Sequence, residues 1–144
     1  MLERDELPWP PGAREQLQDF EHRFAQLCDE LEPLASVNHD DLHIHNVYEG
    51  PRILDWGDSC VSHPFFSLVV TFMFVETGQD EIRDAYLEAY GGDRATFDLA
   101  LRVGRIAHVF KWIRFRDVLP VEFLVEYDGW FVDWLQQAAD QTSE

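Results

Sequence analysis

The apolar positions of this chain recur mostly at helical spacing. Leu17, Phe20, Phe24, Leu27 and Leu31 are three or four residues apart with charges between them, which predicts a helix that Pro33 ends. Pro64 reads as a helix start, followed by an apolar run over Phe65–Glu76. A further helix is predicted over about 80–90, stopped by Gly91-Gly92. The next begins near Thr96 as a cap, carries the stripe Leu99, Val103, Ile106, Phe110 and Ile113, and ends at Pro120. A last helix carries Trp130, Phe131, Trp134 and Leu135. Residues 1–12, with three prolines and a glycine, read as an entry linker.

One region departs from this rhythm. Ser36-Val37-Asn38 reads as a short extended segment leading into a polar loop. Val47-Tyr48 and Arg52-Ile53-Leu54 then flank Gly50-Pro51, which predicts a hairpin. With a two-residue turn, Val47 faces Leu54 and Asn46 faces Asp55, whereas a longer turn shifts that register. Opposed residues have Cβ atoms roughly 4.5–5.5 Å apart, so the Asn46 amide oxygen and the Asp55 carboxylate could share one hard cation. The fold class is therefore α+β, a helical body over residues 64–139 with one small hairpin region over residues 36–58.

Composition narrows the function classes. The chain has 144 residues, 46% hydrophobic and 14% aromatic, enough for one packed domain. Its formal net charge of −17 argues against nucleic-acid and anionic-membrane partners and suits a cation, a metal-bound anion or an amine-rich ligand. The apolar stretch from Phe65 to Val75 is about half the ~20 residues a membrane span needs. The N-terminal residues are charged and show no signal-peptide run. Cys28 and Cys60 fit no disulfide framework or zinc spacing and read as reduced thiols of a cytoplasmic protein. Arg102, Arg105, Lys111, Arg114 and Arg116 share one helix and read as a solvated face with carboxylate partners. Trp130, Phe131 and Trp134 read as core rather than as an acceptor pocket.

The polar loop carries the candidate chemistry. His39-Asp40-Asp41-Leu42-His43-Ile44-His45-Asn46 resembles the catalytic loop of aminoglycoside phosphotransferases and their choline-kinase-like relatives, usually His-Gly-Asp-Leu-His-x-x-Asn. Ile53-Leu54-Asp55-Trp56-Gly57-Asp58 resembles the metal-binding segment of that family, and His63-Pro64-Phe65-Phe66-Ser67-Leu68 follows where the family has a Pro and then Asp-Leu-Ala. The order of these pieces makes the resemblance specific. It implies the C-terminal lobe of a protein-kinase-like fold, with the hairpin carrying both the catalytic loop and the metal segment.

The resemblance also implies roles. Asp41 would be the catalytic base, with His39 a structural member of the catalytic loop. Asn46 and Asp55 would hold Mg²⁺ on the phosphates of ATP, and the acceptor would be a small hydroxyl-bearing molecule, cationic in keeping with the charge. Phosphoryl transfer asks mainly for positioning and charge neutralisation, which these residue types supply. Asp40 stands where the family usually has Gly, and Ser67 where it often has an Asp that braces the loop.

The chain's only lysine is Lys111, in a late helix, and its eight glycines form no phosphate loop, so the nucleotide lobe of such kinases is expected to be absent from this sequence. Two readings follow: the acceptor-binding lobe of a small-molecule kinase, or a non-catalytic binding module or fragment keeping the lobe's fold. A homodimer through the surface that the missing lobe would cover is a third expectation.

Overall fold

The computed structural model describes residues 13–50 and 52–120 together with 122, 124 and 134. The predicted linker over 1–12 and the side chains of Leu17, Phe20, Ile113, Trp130, Phe131 and Leu135 lie outside the described residues. Four helices are described, α1 (Ala13–Glu30), α2 (Val69–Phe74), α3 (Gln79–Tyr90) and α4 (Arg94–Val118). Four short strands, β1 (Ser36–Asn38), β2 (Val47–Tyr48), β3 (Arg52–Ile53) and β4 (Cys60–Ser62), lie between α1 and α2. The strands form two antiparallel pairs, β1 with β4 and β2 with β3. The α+β class follows directly. None of the described helices is long and apolar enough to cross a membrane.

The chain divides into two compact units, one of residues 30–104 and one of residues 1–29 with 105–144. In the first, Phe65, Leu68, Val69 and Phe72 pack with Phe97, Ala100 and Leu101 of α4, and Leu42 and Leu87 close over them. Phe97 is the hub, with ring centroids 5.1 Å from Phe65 and 5.7 Å from Phe72. Gly104 lets the α4 backbone approach this core closely, because a Cβ there would collide with the Val69 side chain. Arg83 is buried beside Asp80, Asp84 and Asp98, and Arg94 reaches Asp84 at 3.0 Å, so ion pairs join α3 to the start of α4.

In the second unit Phe24 of α1 meets Phe110 edge-on at 5.6 Å. Trp134 is buried at 4.9 Å from both the His108 and the Trp112 rings, in keeping with a core role for it.

Local chemistry sets the element ends. α3 stops at Gly91, whose φ of 93° is open to glycine and costly for other residues. α4 is capped by Asp93 and not by Thr96: the Thr96 N–H donates to Asp93 Oδ1 at 3.0 Å, and the Thr96 hydroxyl donates to Asp93 Oδ2 at 2.8 Å. The run from Pro64 begins as a 3-10 turn over Pro64–Leu68 and becomes helical only in α2, which ends at Phe74. The side chains of Arg114 and Arg116 lie outside the described residues, and Arg105 differs from the solvated face expected of it. Arg105 is buried, and the Nε atoms of Arg105 and Arg102 have no hydrogen-bond partner among the described residues. A helix buried on several sides turns some of its polar positions inward.

His63 begins the 3-10 turn, its Nδ1 accepting from the Phe65 N–H at 3.3 Å. The ring is buried beside Phe65 and Phe66, and burial pushes its pKa below the ordinary histidine value against the raising influence of Glu32. The unfolded chain therefore binds this proton more readily than the folded one. The stability tied to His63 is complete above about pH 6.5 and is lost as pH falls below it. His63→Asn keeps a capping oxygen and removes the titration. Urea midpoints measured at pH 7.5 and 5.5 should fall less for the variant than for the parent chain, and equal falls would refute this assignment.

Candidate active site

β1 delivers the chain into the loop with Asn38 and His39 both buried. His39 Nε2 lies 2.6 Å from the Leu54 carbonyl oxygen. A carbonyl only accepts, so the ring proton sits on Nε2 and His39 donates. The imidazole also meets the Trp56 ring edge-on at 4.9 Å. His39 thus ties the loop to the segment carrying Asp55.

The next residue turns the chain sharply. Asp40 has φ of 63°, in the left-handed region that Asp tolerates better than most residues. That explains how it replaces glycine. Leu42 then packs against the core, and its carbonyl accepts from the Thr71 hydroxyl at 2.6 Å. With Leu42 anchored inward, its neighbour Asp41 is left half-buried with its carboxylate accessible.

Asn46 holds Asp41 in place, with His43 beside them. The Asn46 side chain is buried, and its Nδ2 donates to the Asp41 main-chain carbonyl at 2.9 Å. Both ring nitrogens of His43 face N–H donors, Nδ1 the His45 N–H at 3.3 Å and Nε2 the Asn46 Nδ2 at 3.1 Å, and Nε2 lies 3.5 Å from Asp41 Oδ2. His43 is a site neighbour that the motif contains but that spacing alone gave no role.

The hairpin register is one residue off the expected one. Tyr48 pairs with Arg52 and Val47 with Ile53, leaving three positions in the connection, and Gly50 has φ of 76°. A three-residue loop with a left-handed glycine is a standard hairpin closure. Asn46 therefore faces Leu54, whose N–H donates to the Asn46 carbonyl at 3.0 Å, and Asp55 lies one residue beyond. The expectation that Asn46 and Asp55 oppose each other is corrected. Asp55 has φ of 60° and ψ of 60°, and its side chain makes no capping bond to the 3-10 turn it precedes. Its carboxylate is exposed.

Among the described residues no group of three or more His, Cys, Asp or Glu is placed to hold a metal ion. What the site offers is two oxygen donors. The Asn46 amide nitrogen is spent on Asp41 and His43, which leaves its oxygen turned away from those contacts, and Asp55 contributes an uncommitted carboxylate. This donor set suits Mg²⁺, which binds through one or two protein oxygens and takes the rest from phosphate and water. It would not suit calcium or zinc, which need more protein ligands.

The match to known proteins is at the level of the family. The model of the phosphotransferase enzyme family (APH) matches residues 2–100. No curated protein and no solved structure matches the chain. The matched range contains the loop from His39 to Asn46, the segment from Asp55 to Asp58 and the bonds that hold them together, and the chain belongs to the phosphotransferase enzyme family.

Proposed function

We propose that this chain is the acceptor-binding and catalytic lobe of a small-molecule kinase, moving the γ-phosphoryl group of ATP to a hydroxyl of an aminoglycoside-like or amino-alcohol acceptor. The observation that carries this is the state of Asp41. Its main chain is locked by Asn46 while its carboxylate stays accessible beside the His43 ring. That is the arrangement a general base needs: fixed in position and open to a substrate proton.

In this reading the Asp41 carboxylate accepts a hydrogen bond from the acceptor hydroxyl, orients it, and takes its proton as the oxygen attacks the γ-phosphorus, whose bond to the bridging oxygen breaks to release ADP. Asn46 Oδ1 and Asp55 would hold Mg²⁺, which when bound neutralises phosphate charge and orients the nucleotide. Leu42 and Thr71 keep the loop from following the substrate. The net charge of −17 favours a cationic acceptor through its field, with Coulomb attraction raising the local concentration of an amine.

The test uses the full chain with MgATP and a panel of aminoglycosides, choline and ethanolamine, read by ³¹P NMR for a new phosphate ester. A phosphorylated acceptor is expected from at least one amine. Calorimetric binding of an amine with neither nucleotide binding nor ester formation would replace this reading with that of a non-catalytic binding module.

A further inference from the structure

The β1–β4 pair is built with its apolar residues outward. Val37 and Val61 face each other across it and are 68% and 73% exposed, whereas Asn38 is 0% exposed. A buried amide left unbonded costs on the order of 1–3 kcal/mol, so Asn38 needs dedicated partners. Three elements supply them. Nδ2 donates to the main-chain oxygen and to the hydroxyl of Ser62, both at 2.9 Å, and the Ser36 carbonyl lies at 3.2 Å. Oδ1 accepts from the hydroxyl of Ser67. Both N–H groups and the carbonyl oxygen of the amide thereby have partners.

The partners matter because of where they sit. Ser67 belongs to the Pro64–Leu68 turn, whose Phe65 and Leu68 are core residues, so its hydroxyl rides on a rigid base. Ser62 lies beyond the Asp55–Asp58 segment, and Leu54, held by His39, lies just before it. Two adjacent residues, Asn38 and His39, therefore clamp that segment at its two ends. Asp41 follows two residues after His39.

We propose that Asn38 is a positioning residue: with Ser62 and Ser67 it fixes the base Asp41 relative to Asp55. This rests on the phosphotransfer reading for its purpose and on the hydrogen bonds alone for its mechanics. Ser67 does for the loop, through Asn38, what a direct brace would do.

Amide exchange of the full chain by NMR tests it. The Asn46 N–H, bonded to His43 at 2.9 Å, and the Leu54 N–H, bonded to Asn46 at 3.0 Å, report on the site. The Gly91 N–H, bonded to Leu87 at 2.8 Å, and the Phe97 N–H, bonded to Asp93 at 3.1 Å, report on the body. Ser67→Ala should speed exchange at Asn46 and Leu54 by about tenfold, as expected for one stranded buried acceptor, and leave Gly91 and Phe97 within about twofold. Ser67→Thr, which keeps the hydroxyl, should restore protection. Equal acceleration at all four amides, or none at Asn46 and Leu54, would overturn the proposal. If Ser67→Ala fails to fold, Ser62→Ala, which retains the Ser62 carbonyl, carries the same comparison.

Ester formation in the same samples separates the two ideas. A positioning role lowers kcat in Ser67→Ala and leaves KM for ATP within about twofold, since the brace touches no substrate. Protection lost at Asn46 and Leu54, with no ester formed by the parent chain, would support the brace and overturn the phosphotransfer reading.

Discussion

Asp41→Asn is expected to lower kcat for acceptor phosphorylation by about 10²–10⁴-fold, the range a positioned general base contributes. The fold should survive. The firm bond at this position runs from Asn46 Nδ2 to the main-chain carbonyl, which the substitution retains. The side-chain contacts, to His43 Nε2 and to Asn46 Nδ2, are both 3.5 Å and weak. Far- and near-UV circular dichroism should therefore superimpose on those of the parent chain, with a melting temperature changed by no more than a few degrees for a shift below about 1 kcal/mol. The loss should fall on kcat, because a base acts in the transition state and binds the resting acceptor little. Unchanged turnover in a folded Asp41→Asn chain would remove Asp41 from the mechanism.

Phe97→Ala should have the largest effect on stability. The ring is 0% exposed and touches Phe65, Phe72 and Tyr86, so its loss leaves a cavity bounded by three other rings. Truncating a buried phenylalanine costs about 3–5 kcal/mol, while a whole domain is stable by about 5–15 kcal/mol. A urea titration should show the midpoint falling by a third or more, or a broad transition with no native baseline. The rings around the site can relax only partly, because Phe65 and Phe72 are carried on the same short segment as Ser67. Val61→Ala, at an exposed residue, is the matched control and should shift the midpoint little. A cost below about 1.5 kcal/mol for Phe97→Ala would show that this ring is not the hub of the core.

The sequence was most readable where one local signal decides the outcome. Gly91 stops α3 because its φ excludes side chains, and that rule acts on one residue. The same holds for α1, whose apolar stripe stops before Pro33. β4 was not readable: Cys60-Val61-Ser62 is too short for an alternation to show, and it is a strand only because β1 offers it an edge. The hairpin register differs by one residue from the two-residue turn, since Gly50-Pro51 marks a turn without saying whether Glu49 belongs to it. The burial of Arg105 depends on what packs over α4, which no spacing encodes. At the site, the motif pointed to His39, Asp41, Asn46 and Asp55 as a group. The bond from His39 to Leu54 spans 15 residues, and those that tie Asn38 to Ser62 and Ser67 span 24 and 29, so they depend on strands and turns meeting at a distance no local signal encodes.

Asp40 and Asp55 are the two residues other than glycine with positive φ among those described, and both belong to the loop and segment that make the site. Only glycine, asparagine and aspartate occupy that region at small cost, so the backbone alone reduces twenty amino acids to three. At position 55 the proposed chemistry needs an anionic oxygen, which leaves aspartate alone. Conformation and charge there select the same residue for separate reasons. At position 40 the backbone accepts all three, and nothing in the proposed reaction calls for a charge. The aspartate at 55 is thus a necessity of this site, and the aspartate at 40 one of several solutions open to it.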